Sequence, residues 1–317
     1  MLIASIFVII GLLLLTLGAD RLVIGSSAVA LKFGVSPLLI GITIVAFGTS
    51  APELIVSINA ALSGNGGISV GNVVGSNIAN VGLILGIASL ITPMTVHVSL
   101  IRRDIPIMIG ISLVSAWFIF GDEVSRAEGL FLVAGLIAFL ALSVYWAKRE
   151  MPSEAVIQEF EEPLKKAHIP MWQAWGFVVI GLLMLAGGSE LLVRGAIHIA
   201  EVFGMSQTMI GLTIVAIGTS LPELATSITA ALKGESDIAV GNVIGSNIFN
   251  ALGILGIAAV MRPLPTATFS LIDLGVMLGF TILMLPMARN DMRILRWEGA
   301  ILLTCYVAYM AWLISGV

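Results

Sequence analysis

A chain of 317 residues that is 58% hydrophobic and only 11% charged, with a mean hydropathy of +1.09, cannot hide its apolar surface in one water-soluble core. It reads as a polytopic membrane protein, in which the net charge of −4 matters less than where the lysines and arginines sit. One cysteine, Cys305, excludes an internal disulfide and a cysteine metal site.

The first apolar run, residues 2–30, has no positive leading region and no small-residue cleavage site, so it reads as a retained span. Asp20 sits late in it, suited either to line an ion access route or to pair with Arg21. Further runs follow at 36–62, 68–92, 104–120 and 127–147. A polar stretch then interrupts, residues 148–170; its acidic cluster Glu159, Glu161 and Glu162 reads as part of a solvated linker. The series resumes at 172–202, 206–232, 238–260, 269–288 and 297–315, with Glu190 placed like Asp20 and able to pair with Arg194.

The second series repeats the first. Gly41 to Ala88 recurs as Gly211 to Ala258 at an offset of 170 without a gap, and Asp20, Arg126, Glu128 and Gly129 meet Glu190, Arg296, Glu298 and Gly299 at the same offset. Five spans is an odd number, so the second set enters the membrane inverted. The expected fold is an all-α polytopic membrane protein: ten transmembrane helices in two inverted five-helix repeats, with broken helices where the repeats meet. The expected units are residues 1–147, a cytoplasmic linker 148–170, and residues 171–317. With the N-terminus outside, inner loops receive Lys32, Arg102, Arg103, Lys148, Arg149, Lys165, Lys166, Lys233, Arg289, Arg293 and Arg296, and outer loops only Arg126 and Arg262. That bias predicts both termini outside the cell and the linker in the cytoplasm.

The chemistry lies in the repeated segment. Each copy carries one glutamate, Glu53 or Glu223, in an otherwise apolar run, and an ionised group at mid-membrane costs several kcal/mol, about 3 on insertion scales. Thr49 and Glu53 are spaced to share a helix face with Ser50 beside them, as are Thr219 and Glu223 with Ser220. Pro52 and Pro222 remove the N–H that would bond the carbonyls of Gly48 and Gly218, leaving bare oxygens beside the carboxylates. Hard cations such as Ca²⁺ and Na⁺ take such oxygens. The next helix supplies Asn72, Ser76 and Asn80 along one face with Asn77 beside it, and its copy Asn242, Ser246, Asn247 and Asn250. Gly71, Gly75, Gly241 and Gly245 between them read as helix-packing positions. His97, His168 and His198 have no partner at ligand spacing. Glu128 and Glu298 read as helix-start charges at the surface.

GTSAPE with GNVVGSNIAN, and GTSLPE with GNVIGSNIFN, closely resemble the paired α-repeats of the sodium/calcium exchangers, nearest the bacterial inner-membrane branch. The resemblance spans nearly the whole chain. It implies Ca²⁺ ligation by Glu53, Glu223, Thr49 and Thr219, and flanking Na⁺ sites from Ser50, Ser76, Ser220 and Ser246 with the carbonyls of Ala46 and Ala216. Asn80 and Asn250 match the remaining central positions. Some members carry aspartate where this chain has Asn250, so only two fixed negative charges remain here.

The function expected is secondary antiport of Ca²⁺ against Na⁺ by alternating access, in an inner (plasma) membrane. Proton coupling through the same glutamates is the alternative, and K⁺ dependence stays open. A passive cation channel is a more distant reading. No nucleophile motif, phosphate loop or histidine cluster points to an enzyme. No cofactor, nucleic acid or protein partner is implied beyond the transported ions and the bilayer.

Overall fold

The computed structural model describes residues 1–149, 169–205, 216–266 and 270–315. Most of the expected linker, including His168 and the acidic cluster, lies outside the described residues, as does the start of the run at 206–232. The helices are α1 (Leu2–Phe33), α2 (Pro37–Thr49), α3 (Ala51–Leu62), α4 (Gly66–Ile91), α5 (Ile105–Ile119) and α6 (Arg126–Arg149). In the second half follow α7 (Met171–Val202), α8 (Ala216–Thr219), α9 (Leu221–Leu232), α10 (Ser236–Met261), α11 (Leu271–Arg289) and α12 (Arg296–Ser315).

Among the described residues, seven helices are long and apolar enough to cross a membrane, eight if the bent pair α2 and α3 is one span. The run at 104–120 falls short of that length as a regular helix, because its first turn, Leu100–Asp104, is wound as a π-helix. α4 and α10 form the centre: 72% and 89% of their apolar windows are buried, against 17% for α6 and 22% for α12. The outer helices turn Leu, Ile, Phe and Trp side chains outward, Trp117, Trp172 and Trp297 among them. Such a surface is stable only against lipid.

α1 and α7 run antiparallel in close backbone contact, and the cause is a glycine at every seventh position. Gly11, Gly18 and Gly25 of α1 face α7, while Gly181, Gly188 and Gly195 of α7 face α1. A Cβ on Gly181 would stand 2.7 Å from the Leu22 amide nitrogen, and one on Gly11 2.7 Å from the Gly188 carbonyl oxygen. Small residues at this spacing let two membrane helices approach as one body. Gly241 and Gly245 serve packing as expected, lying against Leu38 and Ile42, but their counterparts Gly71 and Gly75 do not, with nothing within 4 Å of their Cβ positions.

Two short antiparallel ribbons join the halves. β1 (Met94–Thr95) pairs with β4 (Arg293–Ile294), and β2 (Glu123–Val124) pairs with β3 (Leu264–Pro265). At an offset of 170 the two ribbons are copies of each other. Arginines close helix ends beside them: Arg296 donates to the Ile91 carbonyl at 3.1 Å and Arg262 to the Leu62 carbonyl at 3.1 Å, satisfying acceptors that the helices leave open.

Two assignments change. Glu298 is buried, 2% exposed, because its carboxylate folds back to accept the Leu295 N–H at 2.8 Å. Its counterpart Glu128 completes a reciprocal cap with Ser125, accepting the Ser125 N–H at 2.7 Å while the Ser125 hydroxyl accepts the Glu128 N–H. Leu295 has no hydroxyl, so α12 depends on the glutamate alone. Glu298→Ala is expected to cost about 1–2 kcal/mol, seen as a lowered melting temperature in detergent. The second change concerns Asp20, which pairs with Lys233 and not with Arg21; Arg21 lies over the Phe177 ring. Glu190 does pair with Arg194.

Candidate functional site

The chain breaks its helix at equivalent points in the two halves. Ser50, between α2 and α3, has φ −84° and ψ 9°, and Ser220, between α8 and α9, has φ −88° and ψ 8°. α2 and α3 meet at a bend of 46°. Pro52 and Pro222 fall in the first turn of the following helices, where no N–H needs an intrahelical partner, so each proline starts a helix instead of interrupting one. Glu53 and Glu223 lie in those same first turns. The positive ends of α3 and α9 therefore face the two carboxylates.

The two breaks meet. Ser50 donates its hydroxyl to Glu223 Oε1 at 2.8 Å, and Ser220 donates to Glu53 Oε1 at 3.2 Å. Each glutamate is thus held by the serine that precedes the other. Glu53 and Glu223 are 1% and 2% exposed, and the remaining oxygen of each, Oε2, accepts no hydrogen bond among the described residues. A buried carboxylate oxygen left in that way costs stability unless it faces a cation or a proton.

Amides from the two central helices surround this pair. Asn72 donates to the Glu53 carbonyl and the Ser57 hydroxyl, at 3.1 and 2.9 Å; Asn242 does the same for Glu223 and Ser227, at 3.4 and 3.1 Å. Thr49 donates to the Asn242 side-chain oxygen at 3.2 Å. Deeper in, Asn80 donates to Asn247 at 3.1 Å and Asn250 to Asn77 at 3.0 Å, so the halves clasp each other twice. Both donors turn their own oxygens elsewhere: Asn80 Oδ1 and Asn250 Oδ1 are buried without a hydrogen bond, as is the Ser246 hydroxyl. Asn80 and Asn250 each open a π-helical turn, Asn80–Leu85 and Asn250–Ile254, a distortion that re-aims side chains and concentrates at functional sites.

The other expected positions fall around these. Ser76 is buried on α4, Thr219 closes α8, and Ala216 opens it. The Ala46 carbonyl already accepts from the Thr49 hydroxyl at 3.3 Å and the Ser50 amide at 3.1 Å. Gly218 departs from expectation: its carbonyl is not bare, because Ser189 of α7 donates to it at 2.6 Å. Ser57 and Ser227 were missed. Their signal was a serine four residues after each glutamate, in both copies.

Two carboxylates with neutral hydroxyl and amide oxygens around them match a hard cation in charge and ligand type. Among the described residues no group of three or more His, Cys, Asp or Glu could hold a metal ion.

The sodium/calcium exchanger protein family matches the chain twice, over residues 3–145 and 173–315. CaxA of Alkalimonas amylolytica, which carries an antiporter's name, is 44% identical over 99% of this chain and 100% of its own. The sodium/calcium exchanger MaX1 of Methanosarcina acetivorans is 36% identical over 96% of this chain and 97% of its own. Among solved structures, the sodium-calcium exchanger NCX_Mj superposes with a TM-score of 0.85 at 32% identity, covering 98% of either chain.

Proposed function

Since the chain belongs to the sodium/calcium exchanger family, we propose that it is a Ca²⁺/Na⁺ antiporter whose cargo sits between Glu53 and Glu223. The observation that carries this reading is the crossed pair of hydrogen bonds that brings the two carboxylates together and leaves Oε2 of each to a cation. In this reading Thr49, Thr219, Asn80 and Asn250 complete the central site, and Ser50, Ser220, Ser76 and Ser246 serve Na⁺ with the Ala46 and Ala216 carbonyls.

Coupling follows from charge. Two carboxylates balance one Ca²⁺, or are shared among several Na⁺, so the ions compete for one set of ligands. With no cation the site would hold two anions in a medium of low dielectric, and the carrier would not cross in that form. Alternating access then takes the form of the α1–α7 pair moving as one body across the broken helices. The two halves, residues 1–147 and 171–317, are inverted relative to each other around a cytoplasmic linker, with the termini outside an inner (plasma) membrane.

The test is ⁴⁵Ca²⁺ uptake into proteoliposomes under separately imposed Na⁺, K⁺ and H⁺ gradients. An outward Na⁺ gradient should drive uptake, and a pH or K⁺ gradient alone should not. Uptake driven by the pH gradient without Na⁺ would replace this reading with proton antiport.

A further inference from the structure

The α1–α7 pair meets the rest of the molecule through two kinds of contact, and only one kind is shared by both halves. The apolar kind seats α7 on both breaks: Leu182 lies against Gly48, and Val193 against Gly218. The polar kind includes two ties among the described residues. Ser189, 5% exposed, donates to the Gly218 carbonyl at 2.6 Å, taking up an acceptor that Pro222 leaves without its helical N–H. Lys233, just after α9, pairs with Asp20 of α1 at 2.5 Å, each side chain about one third exposed.

A carrier built from two related halves reaches its opposite state when the halves trade conformations. Every contact made now by one half should then be made by residues 170 positions away. The apolar contacts survive that exchange in kind, since Leu182 against Gly48 becomes Leu12 against Gly218, and Val193 against Gly218 becomes Val23 against Gly48. The polar ties do not survive. Ser189 to Gly218 becomes Ala19 to Gly48, with no hydroxyl to donate, and Asp20 with Lys233 becomes Glu190 with Ser63, with no cation to pair.

Resting on the antiport reading above, we propose that Ser189 and the Asp20–Lys233 pair are positioning residues that favour the state seen here over its exchanged counterpart. The apolar seat is neutral between the two states; the side on which the loaded carrier rests is set by ties that one state has and the other lacks. They touch none of the side chains assigned to the cargo, so their effect falls on sidedness and not on chemistry.

Apparent KM for Ca²⁺, measured from each face of oriented proteoliposomes by Ca²⁺/Ca²⁺ exchange, reads the balance between states. Ser189→Ala and Lys233→Ala should each lower KM on one face and raise it on the other, changing their ratio by roughly three- to tenfold, the worth of one modest hydrogen bond or ion pair. Ser189→Thr, which keeps a hydroxyl, should leave the ratio near that of the parent. Ala19→Ser with Ser63→Lys supplies the missing ties to the exchanged state and should move the ratio in the same direction as the deletions. A side chain that matters only for folding would lower flux at both faces alike.

A ratio unmoved by both deletions while exchange continues would overturn the proposal, as would a transplant variant that moves it the opposite way. If the deletions fold poorly, the transplant leaves the native ties in place and still decides. Failure of the parent protein to exchange Ca²⁺ at all would count against the antiport reading; amide hydrogen exchange then still tests the ties, which require faster exchange at residues 232–237 in Lys233→Ala and at residues 217–222 in Ser189→Ala.

Discussion

Glu53→Gln and Glu223→Gln should each reduce Na⁺-driven ⁴⁵Ca²⁺ flux by at least about a hundredfold while leaving the protein folded. Breaking a buried charged pair by removing one partner costs on the order of 3–5 kcal/mol, and each 1.4 kcal/mol is about tenfold in binding. The fold should persist because glutamine keeps a side-chain oxygen to accept from Ser220 or Ser50 across the break. What it loses is one of the two negative charges that face the cargo. Flux measured in everted vesicles, with the melting temperature recorded alongside, separates the two effects. Undiminished flux in both variants would remove the glutamates from the mechanism.

The second large effect is expected at the seam between α1 and α7. Gly181→Val places a Cβ 2.7 Å from the Leu22 nitrogen and 2.8 Å from the Gly18 oxygen, backbone atoms that cannot step aside unless the helices part. Overpacking of this kind costs about 1–3 kcal/mol, and occasionally more. The helices would be forced apart along a contact that repeats at Gly11, Gly18 and Gly188, so the damage spreads beyond one site. Thermal unfolding should fall by roughly 5 °C or more, and exchange should fall with it if the pair moves as one body. Gly187→Val is the matched control, because nothing lies within 4 Å of its Cβ position although it adjoins a seam glycine. Equal loss in both variants would mean that a β-branched side chain in the helix, not close approach, accounts for the damage.

The sequence pointed to the candidate residues more clearly than to the partners around them. The glutamates, the prolines and the Asn and Ser positions were legible because the whole motif occurs twice, and an acidic residue in an apolar run has few uses. The family resemblance that those motifs suggested is matched over both halves. The crossed partnerships were not legible. Ser50 serves Glu223, and Asn80 serves Asn247, across sequence separations of 173 and 167 residues, which no local spacing can express. Asp20 illustrates the same limit: the sequence offered an ion access route or the neighbouring Arg21, and the actual partner is Lys233, brought there by the packing of α1 on α9. The glycine seam was written in the sequence at intervals of seven. Its meaning needed the facing helix, since glycine in a membrane span serves kinks, cavities and close packing alike. The π-helical turns at Asn80 and Asn250 left no local trace at all.

The paired ribbons bear on how such a chain can be assembled. Each takes one strand from either half, and the arginines beside them reach from one half to the helix ends of the other. Neither half alone can satisfy its own edges, its glycine seam or its amide clasps, so a half made by itself has one obvious complement, a second chain of the same design. Joining the halves in one chain of five and five spans fixes their opposite orientation, and it lets the two copies differ, as Ser189 differs from Ala19.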